Sequence, residues 1–274
     1  MTFGTCADSR ASRQCQAIAC FYRVHRMTRQ YLAMTVSCIA FLASQDVSAQ
    51  TFSDTWQFTV GLGAVDQPTA PGSATHETIG FPLFSATYDR YFIGSAPGSG
   101  LPFGVGAYLF KDDHWLIGAA VGESFFSDTG TTTVANVFAV YGTKYFIARS
   151  GITTDIGGHG QGTRGSFDFL GKFSPIDNLT LTAGPGLSWA DGEYMQKYYG
   201  VNAVQSADSG LPTYTANGGI NALRFKFGAQ YNLTPKWTLG AQLVLSNLHG
   251  DAGKSPLTES RSQDTLGVAA AYHF

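Results

Sequence analysis

Six polar side chains in the second half of the chain sit at regular intervals within otherwise apolar stretches. Asp168 and Lys172 fall in the row opposite Phe167, Phe169 and Phe173, while Arg224 and Lys226 interleave with Leu223, Phe225 and Phe227. Gln230 and Gln242 stand in the same way beside Tyr231 and Leu243. A period of two puts alternate side chains on opposite faces of a strand. Turned inward in a closed sheet, these six groups could line a polar path and set its selectivity. They could equally pair with one another and fill the interior of a barrel of this size. Either arrangement fits the residue types.

Other chemistry is harder to find. His76, His114, His159, His249 and His273 are available beside many serines, yet no G-x-S-x-G or H-E-x-x-H pattern is present. A lipid-active barrel hydrolase is therefore the minor alternative, and the chain reads as a non-enzyme with no catalytic residue assigned. All four cysteines (Cys6, Cys15, Cys20 and Cys38) lie in the first fifty residues. Thiolate metal sites and disulfides are not expected in the rest of the chain, and no metal or cofactor is implied. The stretch Gly250-Asp251-Ala252-Gly253-Lys254-Ser255-Pro256 lacks the spacing of a phosphate loop. Asp251 is read instead as stabilising a turn between the last two strands by accepting backbone amides. A second shaped segment runs through Tyr198, Tyr199, Gly200, Gly210, Leu211, Pro212 and Tyr214. Its glycines permit positive φ and its proline stiffens the exit, as in a loop folded into a barrel mouth or a docking surface.

The elements that position these groups are strands. After Gln50, alternation recurs in Trp56–Ala64, Phe103–Leu109, Trp115–Gly122, Phe167–Phe173, Leu223–Leu233 and Trp237–Ser246. Short turns at Lys111-Asp112-Asp113, 174–178 and Thr234-Pro235-Lys236 alternate with long polar connections at 65–76, 94–101, 124–131, 190–220 and 248–262. One face carries Phe, Leu, Val and Tyr; the other carries Gly, Ala, Ser, Gln and a few charges. A soluble sandwich would instead show water a face dense in Lys, Glu and Thr. The pattern predicts an all-β, transmembrane, antiparallel up-and-down β-barrel of about 12 strands, with 10 as the alternative. Aromatics near strand ends, such as Trp56, Trp115, Trp237 and Tyr272, fit interfacial girdles.

Bulk properties agree. Only 13% of the 274 residues are charged, against 44% hydrophobic, well under the roughly 25% charged of soluble domains. A net charge of −2 gives no basic face for nucleic acid. Residues 27–49 read as a signal peptide, with Arg29, an apolar stretch from Ala33 to Ala43 and a small-residue site ending at Ala49. Residues 1–26 form an upstream extension outside the mature protein, and 50–274 the barrel. Residues 1–49 hold five Arg and two Asp of the 17 basic and 19 acidic residues, so their removal leaves a net of −5. The expected location is the outer membrane of a Gram-negative bacterium, with membrane lipid and the barrel-assembly machinery as first partners.

Two late segments, YMQKYYGVNAVQSADSGLPTYTANGGI (Tyr194 to Ile220) and LSNLHGDAGKSPLTES (Leu245 to Ser260), resemble the MipA/OmpV family of outer-membrane proteins. In that family Tyr-[Tyr/Phe]-Gly-Val, Ser-Gly-Leu-Pro-x-Tyr and Gly-Asp-Ala-x-x-Ser-Pro recur in this order. The resemblance covers residues 55–274. It departs at the first surface loop, where VDQPTAPGSATHE replaces the usual Tyr-x-Gly pair, which puts in doubt a ligand or adhesive role tied to that loop. The resemblance implies an outer-membrane barrel. Described roles in the family are a scaffold joining a murein lytic transglycosylase to a penicillin-binding synthase, a porin-like channel, or an adhesin. The scaffold is the leading expectation.

The chain finishes on TLGVAAAYHF, an alternation with Leu266, Val268, Ala270, Tyr272 and Phe274 in one row. Tyr272 and the terminal Phe274 are read as the signal recognised by the barrel-assembly machinery. Removing Phe274 alone should lower the yield of inserted barrel more than the loss of one ring warrants. Heat-modifiable gel mobility of membrane fractions reads this, and normal insertion of the truncated chain would count against it.

Overall fold

Apolar alternation, with no helix among the described residues long and apolar enough to cross a bilayer, leaves one way to satisfy the backbone in lipid, a sheet closed on itself. The computed structural model describes residues 53–95, 98–124 and 132–274. The upstream extension, the signal-peptide segment, the four cysteines and most of the 124–131 connection lie outside the described residues. The wall begins with β1 (Gln57–Pro68), β2 (His76–Tyr88), β3 (Tyr91–Gly94) and β4 (Gly104–Lys111). It continues with β5 (Trp115–Ser124), β6 (Thr132–Gly142), β7 (Phe146–Asp155) and β8 (Thr163–Ile176). Then come β9 (Leu179–Ala190), β10 (Gly219–Thr234), β11 (Trp237–Leu248) and β12 (Thr265–His273). Each strand pairs with its sequence neighbours, and β1 pairs antiparallel with β12, so the twelve strands close.

The seam runs from Thr59↔His273 to Asp66↔Leu266. Phe274 extends it by donating its amide to the Phe58 carbonyl at 3.0 Å. His273 ties three strands: Nδ1 lies 2.9 Å from Thr59 Oγ1 and Nε2 3.2 Å from Thr238 Oγ1. Both chain ends of the wall sit at the end bearing the two-residue turns Asp89-Arg90, Asp177-Asn178 and Pro235-Lys236. β8 runs on to Ile176 through a register shift after Phe173, so that turn is shorter than the sequence suggests.

The outward rows include Phe58, Val60 and Leu62 on β1, Phe225 and Phe227 on β10, and Leu266 and Val268 on β12, all exposed. At the short-turn end, aromatics from neighbouring strands touch in a belt. Ring centroids lie 5.2 Å apart for Trp56–Tyr88, 4.8 Å for Trp115–Tyr141, 5.1 Å for Trp237–Tyr272 and 4.9 Å for Tyr272–Phe274. Amphipathic rings at strand ends are the interfacial girdle of such barrels.

The interior is not uniformly polar, which is where the structure departs from the sequence expectation. Phe92, Tyr108, Leu116, Ala120, Val134, Phe138, Val140 and Ile147 form a buried cluster along β3–β7. Residues 98–103 fold into the same space and add Leu101 to it. Gly94 makes the inward turn: its φ is +97°, and a side chain there would collide with the Phe84 carbonyl. β3 is only four residues long because the chain leaves the wall at this glycine. Lumen-facing apolar residues can thus pack a core, provided another segment comes in to meet them.

Phe138 is 1% exposed and touches the rings of Phe92 and Tyr108 at centroid distances of 6.3 and 6.2 Å. Phe138→Ala should cost about 3–5 kcal/mol, the usual range for emptying an aromatic core site. Urea unfolding in lipid vesicles measures it, with lipid-facing Val137→Ala as the control that changes little.

Candidate functional site

The charged residues from β8 and β10 meet inside the barrel by reaching across β9. In register, Asp168 stands opposite Gly186, which stands opposite Arg224, and Gly184 stands opposite Lys226. Strands two apart are separated by about 10 Å, so the contact needs long cations and no obstruction between. Gly186 supplies the gap: a methyl there would collide with the Asp168 carboxylate. Across it, Asp168 Oδ1 accepts from Arg224 Nη2 at 3.0 Å and Oδ2 from Lys226 Nζ at 2.6 Å. Arg224 Nη2 also donates to the Leu187 carbonyl at 2.9 Å. From the other side Arg149 of β7 stands opposite Asp168 in register, and its charge also acts on the carboxylate.

Asp168 and Lys226 are 5% and 7% exposed, so the layer is largely dry. Taking charges out of water is costly unless each finds partners, and here one carboxylate serves several cations. Gln230 and Gln242 are buried on the inner rows of β10 and β11. Gln230 Nε2 donates to Asn232 Oδ1 at 3.4 Å, while the side-chain oxygens of both glutamines have no partner among the described residues. Lys172 lies four residues beyond Asp168 on β8, opposite Thr182, and is outside the ion cluster described above.

Sequence reasoning missed Arg149 and Gly186. The inner row of β7 reads Ile147, Arg149, Gly151, Thr153, too mixed for alternation to pick out the arginine. Gly186 is one of many glycines, and its role depends on a residue of the neighbouring strand.

Three short helices stand at the long-loop end: α1 (Gly192–Tyr199) and α3 (Gly250–Lys254), which pack over the mouth, and α2 (Ala203–Ser209), which has no buried residue. No helix-period segment of useful length is visible there in the sequence, because elements of this length complete two turns at most. Their caps are readable nonetheless. Asp191 Oδ1 accepts from the Tyr194 amide at 2.8 Å, and Oδ2 accepts from the Thr163 amide at 2.7 Å, fastening α1 to the end of β8. Asn202 and Gln205 form a reciprocal capping box on α2, which Gly210 ends in the left-handed conformation at φ +75°. Ser206 Oγ donates to the Leu211 carbonyl at 2.6 Å, just before exposed Pro212.

The two ends of the Tyr198–Tyr214 segment pack on the barrel's own residues, while α2 between them has no buried residue. Tyr199 is buried with Met195, Ala216, Ala222, Leu248 and Ala252, and Tyr198 and Tyr214 pack against this cluster. Gly200, also buried, caps α1 by donating its amide to the Gln196 carbonyl. Val201 and Tyr214 form an isolated antiparallel bridge. Burial pushes the Tyr199 phenol well above its ordinary range. Asp251 finds its partners in the other loop instead of its own turn: Oδ2 accepts from the backbone and side-chain nitrogens of Asn217, each at 3.0 Å. Tyr214 Oη donates to the Asp251 carbonyl at 3.0 Å. The last long connection and the 191–218 connection are thereby laced together.

A closed up-and-down barrel of twelve antiparallel strands, apolar outside and belted with aromatics, is a β-barrel of the bacterial outer-membrane type. Within that class the chain belongs to the family described as MltA-interacting protein MipA, which matches residues 60–274. It is 24% identical over 147 residues to the MltA-interacting protein of Escherichia coli (strain K12), and equally to that of Shigella flexneri. Each match covers 54% of this chain and 58% of the relative, so the chain spans less than two thirds of the length of these relatives. Among solved structures it is similar to the COG4313 outer membrane channel from Pseudomonas putida F1, with 13% identity and a TM-score of 0.44 over 84% of this chain and 98% of that one. It is also similar to the NanC porin, with 13% identity and a TM-score of 0.39 over 80% and 99%.

The hydrogen bonds from Asn217 hold the Asp251 carboxyl below its usual range. A group lowered in the folded state stabilises above the unfolded value, about 3.9, and loses that contribution as pH falls through the folded one. Limited proteolysis should therefore show the 191–218 segment becoming more cleavable below about pH 4. Asp251→Ala should make it cleavable at every pH, and an unchanged profile in that variant would remove the carboxylate from the account.

Proposed function

We propose that this chain is a membrane-embedded scaffold, a barrel that holds murein-remodelling proteins at the outer membrane. The observation that carries the reading is the obstructed interior. The Asp168–Arg224–Lys226 layer is buried, the β3–β7 side is packed with apolar groups, and the mouth is capped by α1 and α3. A barrel built for steady diffusion would keep a wet lumen. Membership of the MipA family and the name of the relatives, MltA-interacting protein, support a murein transglycosylase as the partner. A penicillin-binding synthase as a second partner rests on the family resemblance.

The same geometry supports a docking face at the short turns. In outer-membrane barrels the short turns face the periplasm and the long loops the exterior, and murein enzymes work on the periplasmic side. The reading therefore assigns docking to the turns at Arg90, Asp113, Tyr145 and Asp177, and gives the Tyr198–Tyr214 segment the task of closing the outer mouth. Export through the 27–49 signal and recognition of Tyr272 and Phe274 by the assembly machinery belong to the same proposal. So do the non-enzymatic role and the outer-membrane location.

Photocrosslinkers at Asp113 and Tyr145, both in short turns, should capture a murein transglycosylase in intact envelopes, whereas one at exposed Val204 on α2 should not. Purified protein in planar bilayers should give no conductance steps. Steps of uniform size together with no captured enzyme would replace the scaffold with the narrow-channel reading.

A further inference from the structure

The charged layer carries more positive than negative charge, and the two cations that share Asp168 stand two residues apart on the inner row of β10. The groups whose charges act on Lys226 are Arg224, Asp168 and Arg149, one carboxylate among cations. Asp168 spends one oxygen on Arg224 and the other on Lys226. A lysine ammonium has three donors and a guanidinium five, so most of the donors on these two cations are left over by Asp168. Arg224 Nε is buried with no partner among the described residues.

The neighbouring inner positions point the same way. Lys226 stands opposite Val244 in the β10–β11 register, two residues from Gln242, and Gln230 stands opposite Gly240. Gln242 is 4% exposed. Its carboxamide, like that of Gln230, can turn nitrogen for oxygen within the same outline and then presents two donors. On β9 the inner positions opposite these cations are Gly184 and Gly186, so no side chain from that strand stands between the cations and the lumen axis. A surplus of buried positive charge is costly unless a counter-charge is bound.

We propose that this layer is a small-anion site, in which a halide or a small carboxylate is held by Arg224 and Lys226, with Arg149 behind Asp168 and the Gln242 carboxamide as a further donor. Asp168 fixes the directions of both cations and, by its own charge, keeps the site from binding too tightly. The site is separate from the proposed docking face and stands or falls independently of it.

The test uses the refolded barrel in detergent, with bromide as the probe. Crystals soaked in bromide should show an anomalous peak in contact with Arg224 and Lys226. The unfolding temperature should rise with bromide and saturate, formate should compete, and Lys226→Gln should weaken the midpoint by about tenfold or more, as loss of a charged hydrogen bond does. Asp168→Asn, which deletes the competing carboxylate, should shift the midpoint the other way. If the rise is unsaturable and identical in Lys226→Gln, bromide is only screening surface charge, and the site is refuted. The absence of a peak in the wild-type crystal refutes it even if a variant fails to fold.

Discussion

Every backbone amide that enters hydrocarbon must leave with a partner, and this requirement governs the rest of the molecule. The pairing of β1 with β12 meets it by removing the sheet's edges. Once the sheet is closed, alternation has only one meaning: one row faces lipid and the other faces the lumen. Everything functional then depends on what the inner row carries and on which connections fold in to join it.

Two solutions coexist along that inner row. On the β3–β7 side the chain fills the space with carbon, and residues 98–103 contribute Leu101. On the β8–β10 side it uses long charged side chains and glycine. The ion cluster depends on Gly186 as much as on its charges, since the carboxylate must pass over β9 to reach its partners. Buried ion pairs bring little net stability against an apolar alternative. Their worth here is directional: they fix where cations point in a space that a hydrophobic core would have closed completely.

The wall was legible in the sequence because most strands have one apolar row and one small or polar row. β10 is the clearest case, with Leu223, Phe225 and Phe227 exposed and Lys226 buried. β6 shows where the reasoning stops: Val134, Phe138 and Val140 are buried although Val137 is exposed to lipid. Apolar residues on both faces do not say which face meets a core, and that depends on a connection distant in sequence. The helices of the mouth were hidden by brevity, although the Asn202–Gln205 capping box announces α2. Arg149 gave no signal, because its significance lies in the strand it faces.

The brevity of β3 also bears on how the barrel sits in its membrane. Four residues at about 3.3 Å each reach roughly half of a 25 Å apolar band, while β10 across the wall has sixteen residues. β2 pairs with β3 only from Ser85 to Tyr88. A wall with one low sill meets a bilayer of even thickness with a hydrophobic mismatch on that side alone. Tilt of the whole cylinder and local thinning of the bilayer are the available responses. Such a mismatch would give the protein a preferred azimuth, a side on which the surrounding lipid would deform and from which a membrane neighbour would feel its presence first.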